Sequence, residues 1–421
     1  MRRRSIVIVV TALAVLSSAC SSDGVFSPAV VQSAQHSLPE TGGVIATSGN
    51  DGLHLLKADA TAIASPALGN VVAQPTWSRD GSLVVVSSQT RGQWEVAIVD
   101  GSNGEIVSRS DAVRPYFFFS WSSDGTHIAA LGPGQTGTTL DLLDSEGGLI
   151  DEAVVTGGSV YVAWEPDGTD LLVHTGDDML LVRPDGAIMP MGVVGRFFLA
   201  PTWIPGTRDV LVVTGLPNRP HLARYSVDAL TADPNSEPTA DFGTTDGVTS
   251  VVVNSSGRIA ALLHARPGAS PEQGGDATIA FAVERPDQEP IAAVEVVELS
   301  SGDRTAVSNQ APLWGEWSRD GHHLLLATFD PDSRQGVWSA WDGDTLTKLT
   351  SFLPTSSFLQ RYLVFADQYV EQPRLWSPDG SAFTYAARDS DNRDAVYVMS
   401  LDPAISPIQL DSAAVGFWSP R

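Results

Sequence analysis

One short motif recurs along most of the chain, and it constrains the fold more than any other feature. Each copy has an aromatic residue, then a polar turn that usually contains Asp-Gly, then an apolar run. The clearest copies read PTWSRDGSLVVVS from Pro75, FSWSSDGTHIAAL from Phe119, VAWEPDGTDLLVH from Val162, PTWIPGTRDVLVV from Pro201, GEWSRDGHHLLLA from Gly315 and RLWSPDGSAF from Arg374. A chain that repeats one short unit is expected to fold into similar units that pack against their neighbours.

The spacing of the motif indicates the kind of unit. A degenerate copy, VVVNSSGRIAALL, has Val253 where the others have Trp, and GFWSPR ends the sequence. The anchors are therefore Trp77, Trp121, Trp164, Trp203, Val253, Trp317, Trp376 and Trp418. Their shorter intervals match the 40 to 45 residues of a four-stranded propeller blade. The sequence predicts an all-β fold, a β-propeller with eight blades, or seven if the Val253 copy is a decayed strand inside a larger neighbour.

The parts of each copy agree with this fold. A short strand ends at the aromatic residue, and a Ser-Pro-Asp-Gly type of turn reverses the chain into an apolar strand. Helical periodicity is absent after residue 20. We interpret the repeated Trp as a wedge between blades and the repeated Asp as a turn residue, so neither is assigned a catalytic role.

The two ends of the repeat region complement each other. Before Trp77 lie three strand-like segments, GGVIATSG, GLHLLKAD and TAIASP, which lack a preceding first strand. The segment that ends at Trp418 offers a first strand without the other three. Pairing of these N- and C-terminal strands would close the ring and cover a sheet edge that otherwise promotes aggregation.

The first twenty residues resemble an export signal. Arg2 to Arg4 form a basic region, SIVIVVTALAVL is an apolar core too short to span a bilayer, and SSAC ends at Cys20, the only cysteine. The segment resembles a bacterial lipoprotein signal with Cys20 as the lipidated residue, although Ser17 stands where the commonest form has Leu. Ordinary cleavage after Ala19 is the alternative. We therefore predict a signal peptide over 1–19, a lipid anchor and flexible tether over 20–40, and a propeller over 41–421.

The net charge limits the classes of binding partner, and the cysteine content limits how the fold can be stabilised. The formal net charge is −24, which disfavours nucleic acid and anionic lipid headgroups, because phosphate binding needs basic patches. With a single cysteine, no internal disulfide can form, so an exported fold must depend on its apolar core. We expect a monomer attached to the membrane through its N-terminal lipid, and the sequence does not distinguish a one-membrane from a two-membrane envelope.

The repeat also resembles a known family. The Trp-Ser-Pro-Asp-Gly motif, its apolar strand and the VYVMSLD strand at 396–402 resemble the TolB-type, WD40-like propeller repeats of bacterial envelope proteins. The propellers of prolyl-oligopeptidase-type enzymes use the same repeat. The resemblance covers residues 41–421 and implies a fold, whereas propellers host many unrelated functions. TolB itself has an additional N-terminal domain and fewer blades, so a role in the Tol system is not implied.

Sequence signatures of catalysis are absent. The chain has no Gly-x-Ser-x-Gly elbow, no Walker loop and no His-Glu-x-x-His, and its histidines fall at unrelated offsets in different repeats. Candidate ligand contacts come from the start of each innermost strand. Arg114 and Arg196 lead the aromatic runs RPYFFFSW and RFFLAPTW, the first of which includes Tyr116. Two arginines at a funnel could clamp a carboxylate or a sugar acid, and ion pairs with Asp246 or Asp411 are the alternative.

Two insertions interrupt the repeat, at about 266–291 and about 352–373. One falls between the second and third strands of a blade and the other between blades, so both are expected on the same face. They are predicted in neighbouring blades and therefore side by side. The second insertion is rich in aromatic residues; we expect its Phe side chains to pack, and Arg361, Tyr362 and Tyr369 to contact a partner.

Pairs of acidic residues mark several loops on that face, among them Asp389, Asp391 and Asp394 in DSDNRD. Carboxylates two residues apart can ligate Ca²⁺, but the Gly and distant Glu of an EF-hand are missing, and solvated turns explain the pattern equally. We predict no cofactor, with these three residues as the candidates for Ca²⁺.

These patterns predict a lipid-anchored, extracytoplasmic propeller that acts as a protein- or saccharide-binding or scaffold module of the cell envelope. The alternative is an enzyme, such as a lyase or lactonase-type hydrolase, with a metal-assisted site in the central funnel. A channel filled by side chains would favour the binding module, whereas a bound metal or a cluster of perturbed acids in the channel would favour the enzyme.

Overall fold

A computed structural model describes residues 41–49, 51–71, 75–192, 199–216, 219–245, 247–264, 293–363 and 374–421. Antiparallel β-strands dominate the described residues. The strands of the first half, in chain order, are β1 (Ile45–Gly49), β2 (Gly52–Leu56), β3 (Ala62–Ala64), β4 (Asn70–Val71), β5 (Thr76–Trp77), β6 (Leu83–Thr90), β7 (Gln93–Asp100), β8 (Ile106–Asp111), β9 (Phe118–Trp121), β10 (His127–Pro133), β11 (Thr138–Asp144), β12 (Leu149–Gly157), β13 (Val160–Trp164), β14 (Leu171–Thr175), β15 (Asp178–Val182) and β16 (Ile188–Pro190).

The second half continues the same pattern. Its elements are β17 (Thr202–Ile204), β18 (Asp209–Leu216), β19 (Arg219–Ser226), the helix α1 (Val227–Ala232), β20 (Ala240–Thr244), β21 (Val248–Val253), β22 (Ile259–His264), β23 (Val294–Glu298), β24 (Arg304–Ser308), β25 (Pro312–Trp317), β26 (Leu324–Asp330), β27 (Gln335–Trp341), β28 (Leu346–Phe352), a π-helical turn (Phe358–Tyr362), β29 (Ala382–Arg388), β30 (Asp394–Ser400), β31 (Ile408–Asp411) and β32 (Val415–Trp418).

These strands form eight antiparallel sheets, one for each predicted anchor. Blade 1 contains β1–β3 and β32, blade 2 β4–β8, blade 3 β9–β12, blade 4 β13–β16, blade 5 β17–β20, blade 6 β21–β24, blade 7 β25–β28 and blade 8 β29–β31 with a bridge between Trp376 and Phe383. The prediction of an eight-bladed propeller is confirmed. The seven-blade alternative is wrong, because Val253 ends the first strand of a four-stranded sheet of its own.

The predicted closure is also confirmed. β32, from the C-terminal end, pairs antiparallel with β1, placing Ile45 opposite Trp418 and Ser48 opposite Val415. The backbone N–H of Ser419 extends the ladder by donating to Val44 at 2.7 Å. Blade 1 therefore takes its innermost strand from one end of the chain and its three outer strands from the other.

The order of strands within a blade defines two faces of the ring. The chain crosses each blade four times, so the turns inside the repeated motif and the turns between third and fourth strands lie at one end. We call this end the turn face. The connections from second to third strands and from blade to blade lie at the other end, the loop face. The segment 265–292 connects β22 to β23 and 353–373 leads from β28 to blade 8, so both insertions leave from the loop face of neighbouring blades.

The repeated Trp residues join consecutive blades. In six blades the indole Nε1 of the anchor donates to the carbonyl of the residue just before the anchor in the preceding blade, at 2.9 to 3.2 Å. Blade 6 has Val253 at this position, and the Nε1 of Trp418 has no hydrogen-bond partner among the described residues. Apolar clusters fill the spaces between blades, as where Val85 and Ile98 of blade 2 meet Phe119 and Trp121 of blade 3. The Trp anchors thus have the structural role that the sequence predicted.

The Ser and Asp of the motif hold the turn that follows four of the anchors, Trp77, Trp121, Trp317 and Trp376. In blade 8 the Ser377 hydroxyl donates to Asp379 at 2.7 Å and accepts the backbone N–H of Ala382 at 3.0 Å, and Gly380 adopts a φ of 71°. Ser78, Ser122 and Ser318 make the same pair of contacts. A short side chain that satisfies the buried backbone donor explains why these residue types recur.

Two helical pieces depart from the expectation of an absence of helix. The helix α1, between the third and fourth strands of blade 5, begins at Ser226, whose hydroxyl accepts the N–H of Ala229, with Asp228 in the first turn. This arrangement is a normal helix N-cap. A helix of six residues is too short to be recognised from hydrophobic periodicity in the sequence. Within the described part of the chain, no helix has the length and apolar character needed to cross a membrane.

Candidate functional site

The structure pairs Arg114 with carboxylates of its own blade. Its Nε donates to Asp141 at 2.6 Å and its Nη2 to Glu152 at 2.9 Å, and the guanidinium is 14% exposed. The hydroxyl of Tyr116 donates to the same oxygen of Asp141 at 2.7 Å. Burial, together with the hydrogen bond to Asp141, raises the pKa of the Tyr116 phenol. An anionic ligand at Arg114 would compete with two carboxylates already in place.

Asp411 was an alternative partner for the funnel arginines, but the described contacts do not pair it with Arg114. Asp411 instead accepts hydrogen bonds from Thr47 at 2.5 Å and from the ring of His54 at 2.8 Å. Cys20, Arg196, Asp246 and Tyr369, as well as the side chain of Arg361, lie outside the described residues. The roles predicted for Cys20, Arg196, Arg361 and Tyr369 stay predictions.

The acidic loop of blade 8 is organised by its own residues. Asp389 accepts the backbone N–H groups of Asp391 and Arg393 and pairs with the Arg393 guanidinium, which also bonds Asp391. The backbone N–H of Arg393 is the leading cause that holds the pKa of Asp389 below its usual value. Asp394 accepts from the Ser357 hydroxyl at 3.3 Å. In the described ranges, no three His, Cys, Asp or Glu side chains cluster as metal ligands.

The axis of the ring is crossed by a stack of side chains. Trp314 of blade 7 stacks on Tyr362 with ring centroids 4.5 Å apart, and Tyr362 packs on Phe417 of blade 1 at 5.2 Å. The guanidinium of Arg374 lies 5.8 Å from the Phe417 ring and 5.9 Å from the Phe118 ring of blade 3. Blades 3 and 7 are opposite in a ring of eight, so this axial stack spans the channel and occupies it at this level.

Tyr362 reaches the axis because the π-helical turn enters the ring. Its side chain is 1% exposed, and Phe358 in the same turn packs against Trp338 and Phe352 of blade 7. The structure therefore buries Tyr362, for which we expected contact with a partner, together with the Phe residues that we expected to pack. Tyr116 is equally buried, at 1%.

Arg374, which is part of this stack, also links several blades by hydrogen bonds. Its Nη1 donates to the Thr76 hydroxyl of blade 2 at 3.2 Å, and its Nη2 to the Phe119 carbonyl of blade 3 at 3.4 Å. Its own carbonyl accepts the N–H of Trp418 in blade 1 at 2.9 Å. With 6% of the residue exposed, the guanidinium is held inside the ring by polar contacts and aromatic faces.

A buried carboxyl lies beside Arg374 on the innermost strand of blade 7. Glu316 is fully buried, and its Oε1 accepts the backbone N–H groups of Arg374 at 2.8 Å and Leu375 at 3.0 Å, while its Oε2 accepts the Trp314 indole at 3.2 Å. Burial raises the pKa of Glu316 to about 7, although the two backbone donors, the nearby Arg319 charge and the indole act to lower it. Desolvation is thus the dominant effect.

Sequence reasoning missed both of these residues, although the sequence carried a signal. Glu316 immediately precedes its anchor, and the residue at this position is uncharged in the seven other repeats. Those residues are Thr76, Ser120, Ala163, Thr202, Val252, Leu375 and Phe417. Arg374 lies two positions before its anchor, where the seven other repeats also have uncharged residues. Those residues are Pro75, Phe119, Val162, Pro201, Val251, Gly315 and Gly416. When one repeat has a charged residue at an inner-strand position that is uncharged in every other repeat, that residue needs hydrogen-bond partners inside the ring.

The fold and this axial site define an eight-bladed β-propeller with a channel filled by side chains where the stack crosses it. The sequence matches no family model and no curated protein. Comparison of the fold with solved structures gives matches that share little sequence identity.

Three of these solved structures align with most of this chain. The dihydro-heme d1 dehydrogenase NirN, in complex with DHE, matches with a TM-score of 0.59 and 14% identity over 93% of this chain and 78% of its own. A eukaryotic initiation factor matches at 0.56 and 15% identity over 90% and 98%. An oligogalacturonate lyase in complex with manganese matches at 0.50 and 12% identity over 86% and 96%. At such identities the likeness shows the propeller fold, and the TolB-type assignment stays a prediction.

Proposed function

We propose that this protein is a lipid-anchored, extracytoplasmic binding or scaffold module of the bacterial cell envelope whose partner is a protein or a saccharide. The observation that carries the proposal is the axial stack. Since Trp314, Tyr362, Phe417, Arg374 and Phe118 occupy the axis, the channel at this level has no room for a substrate, which favours recognition on an outer surface. The lipoprotein-like signal ending at Cys20 supports the location.

The proposed recognition surface is the loop face over blades 6 to 8. Both insertions leave the described body there, one after His264 and the other after Leu363. Arg361 and Tyr369 in the second insertion are the candidate contact residues of this surface. Arg196, in the connection from blade 4 to blade 5, is a separate candidate on the same face. Tyr362 is buried, so its part in recognition is to support this surface from within, whereas the buried Tyr116 belongs to the opposite blade 3 and has no part in it.

The anchor is tested on the protein as its host exports it. Mass spectrometry of the N-terminal peptide from membranes is expected to show a diacylglyceryl group on Cys20, and a Cys20→Ser variant is expected in the soluble exported fraction. An unmodified N-terminus that begins at Cys20, or a membrane-bound Cys20→Ser variant, would contradict this part of the proposal.

Recognition is tested with a variant of the second insertion. Since Phe358 and Tyr362 are buried, the replacement must begin after Leu363, so residues 364–373 are exchanged for a Gly-Ser linker. In-cell crosslinking is expected to lose its dominant adduct in this variant. The matched control replaces the turn 134–137, on the same face of the opposite blade 3, and is expected to keep the adduct. Equal adducts in both variants would refute the proposed surface.

A funnel enzyme is the second candidate, and Glu316 is the observation that favours it. A carboxyl with a pKa near 7 on an innermost strand has the protonation behaviour of a general acid or base. Native mass spectrometry of the exported protein before and after chelation separates the two candidates. A stoichiometric divalent ion removed by the chelator would support the metal-assisted enzyme, and an unchanged mass supports the binding module.

A further inference from the structure

Exposed apolar side chains gather on one part of the outer rim. Of the six large hydrophobic residues that are strongly exposed in the described ranges, Val107, Leu149, Ile150 and Ile188 lie on the outermost strands of blades 2, 3 and 4, each 41–55% exposed. All four lie in the first two positions of β8, β12 or β16 and therefore near the turn face. Surface hydrophobics scattered singly need no explanation, but a group on three consecutive blades does.

Contacts between the blades place these three outermost strands side by side at this height, and we call the surface that carries the four exposed residues the rim strip. The Ser108 hydroxyl, next to Val107, donates to the Glu146 carbonyl in the turn that precedes Leu149, at 2.6 Å. A methyl group placed on Gly186, in the turn that precedes Ile188, would touch the Asp151 carboxylate at 3.4 Å. Each outermost strand therefore touches the turn from which the next one begins, so the four apolar residues lie on neighbouring strands at the same height of the rim.

The equivalent positions of blades 1, 7 and 8 include a half-buried apolar residue, namely Ile63, Leu346 or Ile408, whereas those of blades 5 and 6 include no large apolar residue. The first two residues of the outermost strand are Ala240 and Asp241 in blade 5 and Arg304 and Thr305 in blade 6. A propeller rim therefore does not require apolar residues at this height. The residues of blades 2 to 4 are exposed without a structural need that the described contacts reveal.

Acidic residues surround the rim strip. Segments 105–111, 146–154 and 183–190 contain six carboxylates, Glu105, Asp111, Glu146, Asp151, Glu152 and Asp185, and two arginines. One of these arginines, Arg109, is engaged by Glu95 at 2.5 Å and by the Ala67 carbonyl at 2.7 Å, and one of the carboxylates, Glu152, is paired with Arg114 at 2.9 Å. The strip is thus apolar with a negative border. It favours a partner that combines apolar and basic side chains, and like charge disfavours a second copy of this chain or an anionic lipid surface.

We propose that the rim strip of blades 2 to 4 is a docking surface for an extended protein segment in which apolar residues alternate with Lys or Arg. Its apolar side chains would cover Val107, Leu149, Ile150 and Ile188, and its cations would face the bordering carboxylates. This surface lies at the turn-face rim, away from the loop face, so the proposal does not depend on the envelope role.

The test measures the binding of short labelled peptides to the signal-free protein by fluorescence anisotropy. A Lys-Val alternating peptide is the probe, a Glu-Val peptide reverses its charge, and a Lys-Ser peptide keeps the charge without apolar groups. We expect saturable binding of the Lys-Val peptide, with affinity that falls as salt rises. Equal binding of the Lys-Ser or the Glu-Val peptide, or no saturable binding of the Lys-Val peptide, would overturn the proposal.

Two double variants locate the surface. Leu149→Ser with Ile150→Ser is expected to weaken Lys-Val binding by about tenfold, since it removes apolar area that the peptide would cover. The matched control is Val113→Ser with Leu353→Ser, which removes the two exposed apolar residues outside the strip and should change binding by less than about twofold. Thermal unfolding checks that both variants fold. Equal weakening by both, or a concentration-dependent dimer that the Leu149→Ser/Ile150→Ser variant abolishes, would contradict the proposal.

Discussion

At the scale of single residues, Glu316 departs furthest from the environment of an ordinary carboxyl, and its titration affects stability. Its pKa rises from 4.5 to about 7 on folding, so the native state binds the proton more tightly than the unfolded chain. The stabilisation is complete below pH 4.5 and is lost as the pH rises through 7. A shift of this size corresponds to about 3 kcal/mol of unfolding free energy.

Replacing Glu316 by Gln removes this titration. The unfolding free energy of the wild type, measured by chemical denaturation, is expected to fall by about 3 kcal/mol relative to Glu316→Gln between pH 4.5 and pH 7. Glu105→Gln, at an exposed position, controls for the loss of one carboxyl. Parallel pH profiles of the wild type and Glu316→Gln would show that the carboxyl is not desolvated as the structure indicates.

Arg374 is the second residue for which a single substitution should matter. Removing its guanidinium in Arg374→Met leaves the Thr76 hydroxyl and the Phe119 carbonyl without this donor and breaks the axial stack. We expect a loss of about 2–4 kcal/mol in unfolding free energy, whereas Arg393→Met, at an exposed ion pair, should cost less than about 1 kcal/mol. Denaturant midpoints measure both, and equal losses would contradict the central position of Arg374.

At the scale of structural elements, the repeated turn tolerates an exchange of donor and acceptor. In blade 6, Asn254 replaces the Ser, and its Oδ1 accepts the N–H of Ile259 at 3.2 Å and the Ser256 hydroxyl at 3.0 Å. In blades 2, 3, 7 and 8 the Ser hydroxyl donates to the Asp. The degenerate copy therefore keeps the same turn with the roles reversed, which explains why a blade without the Trp and Asp still forms.

This geometry predicts the cost of losing the turn hydroxyl. Ser377→Ala removes the acceptor of the buried Ala382 N–H, so the unfolding free energy should fall by about 1–2 kcal/mol. Ser301→Ala, in an exposed turn of blade 6, should change it by less than about 0.5 kcal/mol. Thermal or urea denaturation of the two variants makes the comparison, and a neutral Ser377→Ala would mean that water replaces the hydroxyl.

At the scale of the whole molecule, the closure of the ring depends on one short strand. β32 contributes Phe417 to the axial stack and pairs with β1, so removing residues 415–421 would open blade 1 and expose its edge. We expect this truncation to aggregate or to lose cooperative unfolding, whereas removing residues 420–421 should leave a folded ring. Light scattering and calorimetry distinguish the two, and a cooperative, monomeric 415–421 truncation would show that closure is dispensable.

The repeat predicted the number of blades, the closure and the structural roles of Trp and Asp, because these depend on spacing and turn chemistry. The partners of Arg114 could not be predicted, since Asp141 is placed beside it by the register between strands of the same blade. The burial of Tyr362 was equally hidden. It lies outside the periodic segments, where an aromatic residue packs inward or faces outward according to the space left at the axis.

The most direct test of the closed eight-bladed ring is hydrogen exchange at residues 45–48 and 415–418. The structure predicts that these amides exchange as slowly as those of β9 and β25, because Ile45–Ser48 and Val415–Trp418 form a complete ladder inside the ring. Exchange of residues 415–418 at the rate of an exposed loop would show that the C-terminal strand is not paired with β1, and would contradict the closed ring.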